Sequence, residues 1–263
     1  MTKIDVKYNN LSGDKNALLF LPPFIATKEI YVNQYKVLDE HGIPYIAIDY
    51  PGIGNSDNPP KEDLNISEMV NIIYENIKGL PLKKVIPLGT SMGGYVMLEF
   101  WRQHKYIVAG MVFCNTRPQA LDEEGKKKRL GDIEKVRENK EKYVKEFFAN
   151  LVSEETKRKR ADIQDFIDRI ISHGSVEGIV AEIYTIATRP DYTGILKDID
   201  VPVLVIAGGK DRVVPLDVME GMAKSIKDSV FVVFDESGHL SAIEEPEEFN
   251  NVLLSFLKDK DLI

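Results

Sequence analysis

Lys84-Val85-Ile86-Pro87-Leu88-Gly89-Thr90-Ser91-Met92-Gly93-Gly94 decides the reading of this chain. A short, mostly apolar run enters a glycine, and an amphipathic pattern reaching about Tyr106 follows at once. Residues 84–88 therefore read as a buried strand and 92–106 as a helix, with Gly-x-Ser-x-Gly at the junction. A serine there occupies a sharp turn that lifts its hydroxyl off the sheet. The residues two before and two after must be small, because their backbones pass close together. Gly89 and Gly93 meet that demand, and Gly94 leaves further room. The N-terminal amides and dipole of the helix face any negative charge formed beside Ser91. The plain alternative is a Gly-rich turn; a strand before and a helix after favour a nucleophilic serine.

Outward from this junction, short apolar runs alternate with helical patterns, which points to a mostly parallel sheet covered by helices. Strands are expected at 17–21, 45–48, 109–114, 203–207 and 230–234. Helices are expected from Thr27, as N-cap, to His41-Gly42, along the Ile66, Met69, Val70, Ile73, Ile77 face, and from Pro246 to about Leu257. No strand pattern occurs between Arg117 and Pro190. There Ile163, Phe166, Ile167, Ile170 and Ile171 keep helical spacing, as do Val176, Ile179, Val180, Ile183 and Ala187 behind Ser175 as N-cap. Residues 1–116 and 190–263 are thus expected to form an α/β core, and 117–189 an all-helical insertion.

A serine hydroxyl needs a base, and the chain has four histidines. His41 and His173 each precede a glycine at an expected helix end, and His104 is late in the helix after Ser91; these positions suit a helix C-terminus. His239 follows the last strand in Ser237-Gly238-His239-Leu240, at the edge where open α/β sheets place their sites. Asp211, in Gly208-Gly209-Lys210-Asp211-Arg212, follows the preceding strand at the same edge and can orient the imidazole. Asp235 competes, but it leaves its strand only four residues before His239 and reads as a turn residue. The order Ser91, Asp211, His239 is the nucleophile–acid–histidine order of one fold.

These residues resemble the α/β-hydrolase fold superfamily, in the subgroup of small esterases, enol-lactonases and acyl-carrier methyl-ester esterases. Asp49-Tyr50-Pro51-Gly52-Ile53-Gly54-Asn55-Ser56 is similar to the family's D-x-P-G-x-G-x-S loop, and Gly238-His239 is followed by Glu245-Pro246. The likeness covers nearly the whole chain and implies a helical cap at 117–189. It also implies an oxyanion hole formed by the backbone N–H groups of Met92 and Phe24. The family usually carries His-Gly-x where this chain has Pro22-Pro23-Phe24. The implied activity is hydrolysis of a small to medium carboxylic ester or lactone through an acyl-enzyme, without cofactor. Apolar cap residues such as Phe148, Ile179 and Ile183 are candidates for the substrate pocket. Acyl transfer or perhydrolysis, carbon–carbon hydrolysis or lyase chemistry, and a low-turnover ligand receptor are the rival readings.

Composition narrows the partners. The chain has 263 residues, 43% hydrophobic and 29% charged, enough for a sizeable core. A net charge of −8 argues against nucleic acid as the main partner. Cys114 is the only cysteine, so no internal disulfide forms. No apolar run suits a membrane span or a signal peptide, and a cytoplasmic location is expected. No H-E-x-x-H or Cys/His cluster points to a metal. Ser56-Asp57-Asn58 and Gly52-x-Gly54 lack the companions of a β-lactamase or dinucleotide site. The basic runs 126–129 and 157–160 sit among acids and read as solvated helix faces.

Overall fold

The apolar runs become strands, and their burial explains their composition. A computed structural model describes residues 2–149, 151–171 and 174–263; His173 lies outside the described residues. The strands are β1 (Val6–Asn9), β2 (Ala17–Leu21), β3 (Tyr45–Ile48), β4 (Val85–Thr90), β5 (Met111–Cys114), β6 (Val203–Gly208) and β7 (Val230–Phe234). Every residue of β2 to β6 is buried. Helices cover both faces of those strands, so they read as continuous apolar runs rather than alternating ones.

The sheet order is β1-β3-β2-β4-β5-β6-β7. All neighbours are parallel except β1, which pairs antiparallel with β3 and places Val6 opposite Ile48. β1 is a half-exposed edge strand without an apolar run, and the sequence pattern does not reveal it. The register sets Leu21 beside Gly89, Thr90 beside Cys114, Cys114 beside Ile206 and Gly208 beside Phe234. The loops that follow β2, β4, β5, β6 and β7 therefore leave from one edge.

The helices are α1 (Val32–Glu40), α2 (Ile66–Ile77), α3 (Met92–His104), α4 (Glu123–Phe148), α5 (Glu154–Lys159), α6 (Ile163–Ile171), α7 (Val176–Thr188), α8 (Leu216–Lys224), α9 (Ser241–Glu244) and α10 (Pro246–Asp259). Asn65 and Glu68 form a reciprocal capping box at the start of α2. Thr27 does not cap a helix with its side chain. A 3-10 turn, Lys28–Tyr31, leads into α1 instead, and the Thr27 N–H donates to the Ile170 carbonyl at 2.9 Å. The first N–H of the turn, that of Lys28, donates to Asp49 Oδ1 at 2.6 Å, so a carboxylate from the loop after β3 stands in for the Thr27 side chain. Gly42 has the positive φ, 62°, expected just past α1.

Between β5 and β6 the described residues form helices α4 to α7 and no strand. Asp122, Ser153 and Ser175 cap α4, α5 and α7 with their side chains. α4 bends at Asn139, whose φ of −155° and ψ of 88° interrupt the helix. The two ends of this insert meet at its neck, where the Tyr192 N–H donates to the Pro118 carbonyl at 2.8 Å and Arg189 Nη2 to the Gln119 carbonyl at 2.9 Å. Among the described residues no helix is long and apolar enough to cross a membrane.

The insert docks on the loop after β3 through two glycines. The Ser175 N–H donates to the Gly52 carbonyl at 2.7 Å, and Gly178, one turn into α7, lies against the Gly52 backbone. A Cβ on Gly178 would come within 2.6 Å of Gly52 backbone atoms, and neither backbone has room to yield. Gly178→Ala should therefore lower stability by about 1–3 kcal/mol, as overpacking does. Gly221, inside α8, has open space where its Cβ would stand. Gly221→Ala should stabilise by about 0.5–1 kcal/mol through helix propensity. Urea midpoints of the two variants check the pair; equal shifts would contradict the close crossing.

Candidate active site

Ser91 sits between β4 and α3 with φ 52° and ψ −112°, a conformation strained for a non-glycine residue. Such a conformation costs about 1–3 kcal/mol and persists only where its surroundings hold it. Here the Ser91 N–H donates to the Cys114 carbonyl at 3.0 Å, while the Ser91 carbonyl accepts from Thr116 Oγ1 at 2.7 Å and the Gly94 N–H at 2.9 Å. The small residues are needed as the motif predicts. A Cβ on Gly89 would meet the Gly93 carbonyl at 2.4 Å, and one on Gly93 the Leu21 carbonyl oxygen at 2.0 Å. Gly94 is equally confined, with Thr116 Oγ1 2.3 Å from the position of its Cβ.

His239 Nδ1 lies 2.8 Å from Asp211 Oδ2, and both side chains are buried. Asp235 is exposed. The geometry therefore pairs the imidazole with Asp211. Asp211 also accepts from the Val213 and Val214 N–H groups at 2.7 and 3.0 Å, and from Asn115 Nδ2 at 3.1 Å. Burial pushes the Asp211 carboxyl up; the charge and hydrogen bond of His239 and the two amides outweigh burial, and the net shift is downward. An ionised Asp211 leaves the proton of this pair on Nδ1, so Nε2 presents its lone pair. Among the described residues Ser91 Oγ makes no hydrogen bond. The hydroxyl–imidazole contact of such sites commonly tightens only when substrate is bound.

Two residues that the sequence did not single out hold this pair. Asn115, buried and with a φ of 46°, donates to Asp211 and to the Gly238 carbonyl at 3.0 Å, and accepts from Ser241 Oγ at 2.8 Å. Glu244 accepts from the Gly238 and Leu240 N–H groups at 2.9 and 3.0 Å, on either side of His239. The same carboxylate accepts from the Ser153 N–H and Thr156 Oγ1, both at 2.8 Å. The His239 N–H itself donates to the Leu151 carbonyl at 2.7 Å. The insert thus grips the histidine loop directly. The sequence signal was the acidic pair before Pro246; the first acid, not the second, makes these bonds.

Phe24 and Met92 are buried, and among the described residues neither backbone N–H has a hydrogen-bond partner. The Phe24 ring meets Phe147 edge-on at 5.0 Å, and the Arg129 guanidinium lies 5.2 Å from its centre. One member of the basic run 126–129 therefore packs inward on two rings rather than belonging wholly to a solvated face. Phe148 and Ile183 are fully buried, and Ile179 lines a cavity of about 310 Å³ between α4, α6 and α7 that none of Ser91, Asp211 and His239 lines. His41 Nδ1 contacts the Val37 carbonyl at 2.8 Å at the end of α1, and His104 stacks on Tyr74 at 3.9 Å. No group of three or more metal-ligating side chains occurs among the described residues.

A profile of the alpha/beta hydrolase fold matches residues 16–246. The chain belongs to the alpha/beta hydrolase fold family. It is 28% identical to a thermophilic esterase from Thermogutta terrifontis, over 97% of this chain and 94% of that one, with a TM-score of 0.87. It is 26% identical to the AB hydrolase superfamily protein YisY of Bacillus subtilis, over 93% of this chain and 92% of the relative. A 2-hydroxy-6-oxononadienedioate/2-hydroxy-6-oxononatrienedioate hydrolase of Paraburkholderia phymatum is 28% identical, over 97% of this chain and 92% of its own.

Two outcomes follow from this geometry. Glu244→Ala leaves three buried N–H groups without an acceptor, each worth about 1–3 kcal/mol. It should lower the urea unfolding free energy by more than about 2 kcal/mol; a loss within error would show that water replaces the carboxylate. Asp211 has a folded pKa below its unfolded one, so its contribution is complete above the unfolded value of about 3.9 and is lost as pH falls through the folded value. The Tm difference between wild type and Asp211→Asn should shrink on acidification from about pH 5 to 2. A constant difference would contradict the downward shift.

Proposed function

We propose that this hydrolase is a serine carboxylic-ester hydrolase acting on small to medium esters or lactones. The observation that carries the reading is the buried Asp211–His239 pair, 2.8 Å apart, on the sheet edge that also presents the strained Ser91. Ser91 Oγ attacks the acyl carbon while His239 Nε2 takes its proton. Asp211 stabilises the resulting imidazolium and holds its orientation. The free N–H groups of Phe24 and Met92 receive the tetrahedral oxyanion. His239 then protonates the leaving alcohol, and water activated by the same imidazole releases the acid. No step calls for a cofactor. The insert's buried Ile, Val and Phe side chains favour an apolar acyl group, with Phe148, Ile179 and Ile183 the candidates for contact.

Likeness to an esterase at 28% identity supports this reading. A second reading is carbon–carbon hydrolysis by the same residues, favoured by the relative named for a keto-diacid hydrolase. A series of p-nitrophenyl esters of increasing acyl length, scored by kcat/KM, separates the two. The ester reading expects turnover that depends on chain length, and an organophosphonate adduct confined to Ser91. Ser91→Ala and His239→Ala should each lower kcat by about 10⁴-fold or more. Labelling at Ser56 or Ser237, or full turnover by Ser91→Ala, would overturn the assignment.

A further inference from the structure

The chain leaving β2 must aim one amide with two prolines before it. Pro22 and Pro23 donate nothing, so Phe24 carries the first N–H of the loop. Residues 23–26 form a turn closed by the Ala26 N–H donating to the Pro23 carbonyl at 3.2 Å. Its third residue, Ile25, has a φ of 66°. A turn with that dihedral in its third position normally has glycine there. A β-branched residue is strained in it by about 1–3 kcal/mol. Flipping the Phe24–Ile25 peptide would relieve the strain, turn the Ile25 N–H and the Phe24 carbonyl to opposite sides, and change ψ of Phe24 by more than a right angle, loosening the residue next to the Pro23–Phe24 peptide. That neighbouring peptide holds the Phe24 N–H.

Glu182 opposes the flip. It lies on α7, in the insert, and its side chain is wholly buried. Its Oε2 accepts the Ile25 N–H at 2.8 Å, while Oε1 has no partner. Burial drives the carboxyl well above its usual range, with the nearby Asp49 acting in the same direction and the Ile25 N–H only partly opposing them. A leucine would fill this volume without an unpaired polar atom, so packing alone does not account for a carboxyl here. The insert also holds the far side of the turn, through the Ile170 carbonyl that accepts the Thr27 N–H at 2.9 Å.

We infer that Glu182 is a positioning residue of the oxyanion hole, fixing the Ile25 peptide from the insert and so aiming the Phe24 N–H. The inference rests on the ester-hydrolase reading above. It makes the insert a participant in transition-state stabilisation as well as a wall of the substrate pocket.

The test compares Glu182→Leu, Glu182→Gln and Thr185→Val with wild type on p-nitrophenyl acetate, together with thermal unfolding. Thr185 donates from the same helix to the Leu64 carbonyl at 2.9 Å and reports general loosening of α7. Glu182→Leu should lower kcat by about 10²-fold, the scale of one lost oxyanion donor, with KM changed less than about threefold. Glu182→Gln keeps a carbonyl acceptor and should stay within about threefold of wild type in kcat. Thr185→Val should lower Tm without lowering kcat. Unchanged kcat in Glu182→Leu, equal losses in the Leu and Gln variants, or a comparable kcat loss in Thr185→Val would each overturn the inference. If Glu182→Leu fails to fold, amide exchange of wild type decides: an Ile25 N–H that exchanges as fast as an unprotected loop amide overturns it, and slow exchange supports it. Wild type that neither turns over the ester nor takes a phosphonate at Ser91 removes the underlying reading itself, an outcome distinct from active wild type with an indifferent Glu182→Leu.

Discussion

Helix α3 can leave strand β4 at Ser91 only because Gly93 lies against the Leu21 carbonyl, with no room for a Cβ. That close approach locks the end of β2 to the start of α3. It sets Ser91 in its strained turn, frees the Met92 amide, and places the loop beginning at Pro22 beside both. The Tyr31 hydroxyl secures the same point by donating to the Leu21 carbonyl at 3.0 Å. A looser crossing would let the serine relax toward ordinary helical or extended dihedrals. The hydroxyl would then fall back onto the sheet.

Polar groups, rather than apolar packing, set the finer geometry around this crossing. Asn115 ties the end of β5 to Asp211 and to the histidine loop, and Glu244 ties that loop to the insert. Each group is buried and repeatedly hydrogen-bonded, the condition under which a polar network rigidifies a site instead of weakening it. The division of labour is physical: the sheet register brings the loops to one edge, and buried hydrogen bonds fix the angles of their side chains.

Much of this was legible in the residues alone. The six strands β2 to β7 announce themselves as apolar runs, and Ser91, Asp211 and His239 stand in the loops after three of them. Thr27 stands at the N-cap position, before the 3-10 turn that leads into α1, but its side chain makes no capping bond because Asp49, distant in sequence, accepts the Lys28 N–H instead. β1 was hidden because four residues on an exposed edge need no apolar pattern. Asn115 is hidden because its partners Asp211, Gly238 and Ser241 lie on loops distant in sequence, and Glu244 because its bonds to Ser153 and Thr156 reach into the insert. In the sequence Arg129 is indistinguishable from the charged run around it, and only its packing on Phe24 and Phe147 shows that it faces inward.

The neck of the insert, where Tyr192 bonds to Pro118, brings the two chain crossings side by side. Such an arrangement makes the segment a natural unit of exchange: a different helical segment can be spliced between neighbouring ends without altering strand register. Its grip on the core sets the terms of any transplant. A replacement must offer a small residue against Gly52, a carbonyl for the His239 amide and an acceptor for the Ile25 amide. Helical segments of quite different length and sequence could satisfy such terms, so new specificities on this scaffold are confined less by its core than by the points where the segment attaches to it.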